Sequence, residues 1–280
     1  METVSWRQER IPRLILGTVQ LGLPYGIANE RGRPDPGLAR ELVAAAWAGG
    51  ARFFDTAQAY GDSEAVLGRA LAELGVLDAA RIVTKLPARL GGAGARRVRE
   101  AVEGSERRLG AAPWCVMLHQ PDMLDAWDAG LGEALRALRD TGRVRHLGVS
   151  LSGLDAAARC LAHTDMTVLQ VPANAWDTRP ARSGLFNDIR ELDRLCCVRS
   201  VYLQGLLVLP PGQVAKRLPA ARRAAGAWHA LAAEFGMAPA ALAMRYALRF
   251  DWPLVVGAET PEQVTGTMEL MARGPLEDAD

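Results

Sequence analysis

Eight short apolar runs punctuate the chain: RLILGT (13–18), RFFDTA (52–57), RIVTKL (81–86), WCVMLH (114–119), VRHLGVS (144–150), TVLQVPA (167–173), VRSVYLQ (198–204) and PLVVGA (253–258). Most are apolar on consecutive positions and rich in Val, Ile and Leu. A strand wetted on one face alternates apolar and polar residues, whereas a strand covered on both faces does not. The runs therefore predict strands of a buried parallel sheet.

Helical patterns fill the intervals. Leu42, Val43, Ala46 and Trp47 share a face, and Gly49–Gly50 end that helix. Val66, Leu67, Leu71 and Leu74 repeat the pattern, with Asp62 or Ser63 at the N-cap position. Val98, Val102 and Leu109 mark a third helix, and Leu131, Leu135 and Leu138 a fourth, closed by Gly142. Residues 153–163 suit a fifth, 180–196 a less regular one, and 222–250 a pair broken near Gly236 and Pro239. A last helix follows Pro261. Strand and helix alternating eight times across residues 1–280 predict a single-domain (β/α)8 TIM barrel, of class α/β. The competing architecture, a doubly wound open sheet, requires a GxGxxG turn after its first strand. The sequence there is GTVQLG, and the glycines of GGAGA (91–95) read as a loop.

Composition adds exclusions. The chain is 49% hydrophobic and 23% charged, with a net charge of +1, so no charge excess points to nucleic acid or an anionic membrane. No apolar run is long enough to span a bilayer, and the polar start METVSWRQERIPR lacks a signal-peptide core. A cytoplasmic protein is expected. Cys115, Cys160, Cys196 and Cys197 form no CxxC pair, which argues against a zinc site or a disulfide framework. The basic residues are almost all arginine, and only Lys85 and Lys216 are lysine. Lys85 thus stands out as a position where an amine serves and a guanidinium does not.

In a barrel, chemistry collects where the strands end. Three consecutive runs end on unusual residues: Asp55, with Tyr60 five positions on, then Lys85, then His119. Each has an ordinary structural explanation: a turn cap, a packed ring, a snorkelling amine, a hydrogen-bonded core histidine. Neighbouring strands, however, aim all four into one mouth. A phenol titrates ordinarily at about 10, too high for easy proton exchange at neutral pH. A nearby ammonium favours the phenolate, and a carboxylate keeps that ammonium in place and charged. A histidine can hydrogen-bond a substrate oxygen. Together they describe a general acid for a carbonyl oxygen becoming an alkoxide. No side chain donates hydride, so a nicotinamide cofactor is implied.

FFDTAQAYGDSEAVLG resembles the aldo-keto reductase pattern DTAxxYGxSExxLG, and the likeness continues through LGTVQLG, TKL, LHQPD, GRVRHLGVS and VVGAETPEQ over nearly the whole chain. The resemblance implies the same barrel, with NADPH extended across its C-terminal face. It implies Asp55, Tyr60, Lys85 and His119 as a catalytic tetrad, Tyr60 being the acid in reduction and the base in oxidation. It also implies cofactor contacts from Gly17, Thr18, Gln20, Asp55, Ser150, Gln170, Arg199, Gly205, Leu206, Gly257 and Gln263, with Asn174 close by.

This chain departs from the pattern in places. Leu151 stands where an Asn is common. Arg199 stands where an aromatic ring usually stacks on the nicotinamide, with Tyr202 as the other candidate; a cation there would disfavour the oxidised ring. GAETPEQVTGT carries Glu259 and Glu262, and no Lys or Arg, where NADPH-preferring members keep a base for the 2′-phosphate. The expected cofactor is NADPH/NADP by family habit, with NAD(H) open. The expected partner is a small-molecule carbonyl substrate, held by Tyr60 and His119, with no metal, nucleic acid or membrane involved; oligomeric state is not readable. Trp176, in the loop 172–190, is a candidate to stack on a substrate ring. Two other functions fit the same residues: a cofactor-binding regulatory subunit with little turnover, and an epimerase or dehydratase using the cofactor transiently.

Overall fold

The computed structural model describes residues 2–90 and 94–277. Positions 91–93 of the predicted GGAGA loop lie outside that description, and Ala95 already opens a helix. Eight parallel strands close into a barrel: β3 (Leu14–Gly17), β4 (Phe53–Asp55), β5 (Arg81–Leu86), β6 (Cys115–Leu118), β7 (His146–Ser150), β8 (Met166–Pro172), β9 (Leu195–Arg199) and β10 (Leu254–Gly257). They pair in chain order, and β10 pairs with β3 in register Gly257 to Gly17. Closure leaves no sheet edge, which is why every barrel strand is covered on both faces and reads as a continuous apolar run. The competing open sheet is thereby excluded.

Helices lie on the outside where the periodicity placed them. Pro36–Ala48 is capped by Asp35, whose side chain accepts from the Leu38 amide, and Gly49 and Gly50 end it. Ser63–Glu73, Ala95–Leu109 and Gly132–Asp140 present their leucine and valine faces inward. The pair Arg222–Glu234 and Pro239–Leu248 breaks at Gly236, which has φ +61°.

The helix expected over 180–196 is two short ones, Arg179–Arg182 and Leu185–Glu191, and two further features differ from the sequence expectation. The seventh barrel strand runs over Leu195–Arg199 rather than 198–204. Leu195, Cys196, Cys197 and Val198 are fully buried and form the sheet, whereas Ser200, Leu203, Gln204 and Gly205 all have positive φ. A left-handed run cannot continue a strand, so the apolar tail of VRSVYLQ is a tight turn over the barrel mouth. The second difference is a hairpin of β1 (Thr3–Trp6) and β2 (Glu9–Pro12) ahead of the barrel. Its two-residue turn is Arg7-Gln8, with Arg7 at φ +51°, instead of the usual Asn-Gly or Asp-Gly signal. Trp6 and Ile11 from this hairpin are buried against Trp114 and His146, closing the end of the barrel at which the strands begin.

Candidate active site

Gly17, Asp55 and Gln170 sit at or near the C-terminal ends of their strands, and the barrel register brings their neighbours into line. Gly17 pairs with Asp55, Ser150 with Gln170, and Pro172 with Arg199. At the centre, Lys85 and Asp55 form a buried ion pair. The ammonium donates to both Asp55 carboxylate oxygens, at 2.7 and 2.6 Å, and to the Thr56 carbonyl at 2.9 Å. The Lys85 ammonium also shares a side-chain hydrogen bond with Tyr60. The Gln170 side-chain amide donates to Asp55 Oδ1 as well. Burial alone would pull the Lys85 ammonium down, but the Asp55 charge and then Tyr60 outweigh it, and its pKa is raised. Lys85 stays charged although it is 1% exposed.

Above this pair lies Tyr60. The Lys85 Nζ sits 5.0 Å from the centre of its ring, and His119 meets the same ring edge-on at 5.6 Å between centroids. Burial lowers the His119 imidazole to about 4, helped by the positive field of Lys85 and, after the opposing pull of Asp55, of Arg199. At neutral pH it is therefore an uncharged hydrogen-bonding group.

Tyr60 is placed by backbone packing. A Cβ at Gly22 would fall 1.7 Å from the Tyr60 carbonyl oxygen, and one at Gly61 would fall 2.6 Å from the Gly22 carbonyl oxygen. Gly61 also has φ +54°, so glycine serves at both positions to let the loop after β3 touch the loop after β4. A polar web behind them completes the joint. Thr18 Oγ1 donates to the Asp55 carbonyl, and Ser63 Oγ donates to the Thr18 carbonyl at 2.6 Å. Gln58 reaches across to the Ala101 carbonyl and Ser105. The buried Glu64 accepts from Thr84 and from Arg108. In this web the YGDSE stretch supplies support as well as Tyr60: Ser63 faces inward, and Asp62 occupies the N-cap position without a side-chain cap bond.

These groups line one cavity of about 590 Å³. Its wall includes Gly17, Thr18, Gln20, Asp55, Tyr60, His119, Ser150, Gln170, Arg199, Gly205, Gly257 and Gln263. Of the residues singled out from sequence for the site, Lys85, Leu206, Trp176 and Asn174 lie off the wall. Lys85 lies behind Asp55. Leu206 is buried in a small apolar cluster with Leu209 and Val214, and Trp176 packs against that same cluster. Trp176 lies on this outer layer where the Asn174 side-chain Oδ1 accepts from the Trp176 and Asp177 amides and folds the segment into a tight turn.

The structure adds wall residues that the sequence reading missed. Tyr25 joins Tyr60 in the cavity; burial, followed by the Tyr60 charge, raises its phenol pKa against the pull of Arg199 and Lys85. Its signal was the LPYG turn directly after LGTVQLG. Tyr202, which the sequence offers as the other candidate to stack on the nicotinamide, also reaches the wall, and burial pushes its phenol up to about 12 against a hydrogen bond with Thr267. A strap crosses the cavity beside them. The Ile27 amide donates to the Gln204 carbonyl, and Arg217 donates to the Ile27 carbonyl and Glu30. A Cβ at Gly205 would lie 2.5 Å from the Ala28 methyl. The segment 205–221 holds the helix Pro211–Arg217 and forms one side of this strap.

No group of three or more His, Cys, Asp or Glu among the described residues is arranged to hold a metal ion. No helix among them is long and apolar enough to cross a membrane.

Known proteins share this arrangement at the level of fold and family. The family model described as "Aldo/keto reductase family" matches residues 13–280. An aldo-keto reductase from Gibberella moniliformis is 24% identical over 200 residues, covering 69% of this chain and 59% of its own length, so the chain spans less than two thirds of that relative. A glycerol dehydrogenase from Gluconobacter oxydans superposes with a TM-score of 0.73 at 22% identity, covering 100% of this chain and 98% of its own. The holo form of an aldo-keto reductase from Bacillus halodurans gives 0.78 at 21% identity, covering 99% and 93%. At such identities the superpositions speak for the barrel alone; the family match speaks for the lineage. The chain belongs to the aldo/keto reductase family.

Proposed function

We propose that this protein is an NAD(P)H-dependent oxidoreductase that interconverts an aldehyde or ketone and its alcohol, with Tyr60 as general acid and base. The observation that carries the reading is the stack of Asp55, Lys85 and Tyr60, with His119 at its edge, on and just behind the wall of one cavity. The chemistry the cofactor supplies when bound is a hydride for a carbonyl carbon. The protein residues handle the oxygen. Tyr60 gives its phenolic proton to that oxygen in reduction and takes it back in oxidation. The Lys85 ammonium stabilises the negative charge left on the phenol, and Asp55 holds Lys85 charged and in place. His119, neutral, hydrogen-bonds the substrate oxygen and orients it.

The wall fits a nicotinamide dinucleotide. Gln20 Oε1 and Gln170 Oε1 are buried polar atoms without partners, both on the cavity. Such orphans are costly unless a ligand satisfies them, and an amide N–H of the ligand would do so at Gln170. A Cβ at Gly257 would lie 2.6 Å from Gln20 Oε1, so glycine there keeps the groove open to Gln20. Gln170 and Ser150 would hold the carboxamide end, and Gly257 and Gln263 the adenosine end.

At that far end Glu259 lies on the wall, Glu30 faces it, and Arg31 is the cation whose field reaches both Glu259 and Glu262. A 2′-phosphate adds negative charge beside these carboxylates, whereas a 2′-hydroxyl can donate to one of them. This reverses the order that family habit implies, and NADH is expected to bind ahead of NADPH.

Fluorescence titration with NADH and NADPH, on wild type and Tyr60→Phe, tests both statements. The variant should bind cofactor as wild type does and lose carbonyl reduction across a panel of aldehydes. Equal turnover in the two proteins would end the assignment of Tyr60.

A further inference from the structure

The charges on the cavity wall are few. Asp55 is matched by Lys85 directly behind it, and Glu259 lies at the far end. The remaining ionic wall residue is Arg199, the last residue of β9. Its guanidinium donates to the Leu151 carbonyl at 2.7 Å and to Ser200 Oγ at 3.1 Å, and its Nε is buried without a partner. No hydrogen bond described for Arg199 reaches a carboxylate, so its charge is held by neutral groups alone. Arg199 pairs with Pro172, two residues beyond Gln170, and its bond to Leu151 sets it beside Ser150. Because Gln170 donates to Asp55, Arg199 lies at the Asp55–Tyr60 end of the cavity. His119 adds no charge there at neutral pH. The reacting end of the pocket therefore carries one uncompensated positive charge.

We propose that Arg199 makes this pocket select the reduced, uncharged nicotinamide over the oxidised, cationic one. The inference rests on the reading of the cavity as a nicotinamide site. The two redox forms of the cofactor differ at this end by one positive charge, so a fixed cation there acts on the oxidised form alone. The guanidinium can lie flat against either ring, but only against the neutral one does it do so without repulsion. The pinned geometry matters too. Leu151 and Ser200 hold the guanidinium from the side, and the left-handed residues beginning at Ser200 turn the chain away immediately after it. The cation therefore cannot swing out to solvent without giving up the Leu151 bond. The consequence falls on binding: the pocket keeps reduced cofactor and releases oxidised cofactor, without by itself setting the direction of the reaction.

The test is calorimetric titration of the full-length protein with NADH, NAD+, NADPH and NADP+, comparing wild type with Arg199→Met and Arg199→Lys. Wild type should bind each reduced form more tightly than its oxidised partner. In Arg199→Met that preference should fall by about tenfold or more, the size expected for one close charge at moderate dielectric, chiefly through tighter oxidised cofactor. Arg199→Lys should retain most of it. Thermal unfolding of the proteins identifies any variant that has lost the fold, and where Arg199→Met has done so, Arg199→Gln, neutral but still able to hydrogen-bond, carries the comparison with the same loss of preference expected. Weakening of both redox forms by the same factor in Arg199→Met would overturn the proposal and make Arg199 a phosphate contact. Wild type that binds none of the four would overturn the cofactor reading itself, a result distinguishable from an unchanged ratio.

Discussion

The two ends of the barrel are built from similar material and solve opposite problems. Where the strands begin, the hairpin lays Trp6 and Ile11 over the core, and its polar atoms find partners within the plug. Trp6 Nε1 donates to the Asp193 carbonyl at 3.1 Å, and Trp114 Nε1 donates to Glu9 at 3.1 Å. Glu9 also accepts from Arg145 at 2.8 Å, and Phe53, Trp114 and His146 pack ring to ring. Where the strands end, the core stays open. Six buried side-chain polar atoms lack partners among the described residues, and three of them, on Gln20, Gln170 and Arg199, face the cavity. Among non-glycine residues, positive φ angles at the closed end occur singly, at Arg7, Asp193 and Asp251, but at the open end Leu203 and Gln204 are adjacent and run on into Gly205. Unmet hydrogen bonds and left-handed backbone both cost stability. The cavity-facing orphans and the unbroken left-handed run mark the end built for a ligand, whereas the orphans at the closed end, Arg13 Nε and Trp252 Nε1, do not line that cavity.

Mutations at the two ends should therefore fail differently. The largest effect is expected for Lys85→Met. It removes one half of a buried ion pair, which costs about 3–5 kcal/mol of stability, and it takes the ammonium from beneath Tyr60, lowering carbonyl turnover by roughly 10²–10⁴-fold. Denaturant unfolding and steady-state kinetics measure the two losses, and a variant with wild-type turnover would separate Lys85 from the chemistry. At the closed end, Glu9→Ala leaves Trp114 Nε1 without an acceptor and should cost about 1–3 kcal/mol. Its melting temperature should fall while cofactor dissociation constants stay unchanged; altered cofactor affinity would show that the two ends communicate. The smallest effect concerns protons. His119 titrates at about 4 rather than its ordinary 6.5, so below 6.5 the unfolded chain takes up this proton before the folded one. The His119 contribution to stability is intact above pH 6.5 and is lost as the pH falls toward 4. An NMR titration of its imidazole with a midpoint near 6.5 would contradict the burial that sets this shift.

The barrel was legible because a closed parallel sheet leaves a local trace. Strands covered on both faces must be apolar at every position, and the helices between them must be apolar on one face. RIVTKL was located to the residue, as Arg81–Leu86. The seventh strand was misplaced because Tyr202 and Leu203 are as apolar as a strand requires, and only the backbone angles of Ser200–Gly205 distinguish a turn from an extended run. The hairpin escaped notice because its turn is Arg7-Gln8, and because its burial depends on Trp114 and His146, more than a hundred positions away.

The candidate site divides in the same way. Chemical type singled out Asp55, Tyr60, Lys85 and His119, since a carboxylate, a phenol, an amine and an imidazole each interrupt or follow an apolar run. That choice needed no coordinates. Sequence could not say that Lys85 lies behind Asp55, that Tyr25 shares the cavity with Tyr60, or that Trp176 packs into the outer layer. It could name Arg199 as out of place, but not that the arginine lacks a carboxylate partner. Order along the chain fixes which residues are apolar, charged or free of a Cβ. Whether a charge is neutralised, or a ring reaches a cavity, depends on distances between segments that meet only after the barrel has closed.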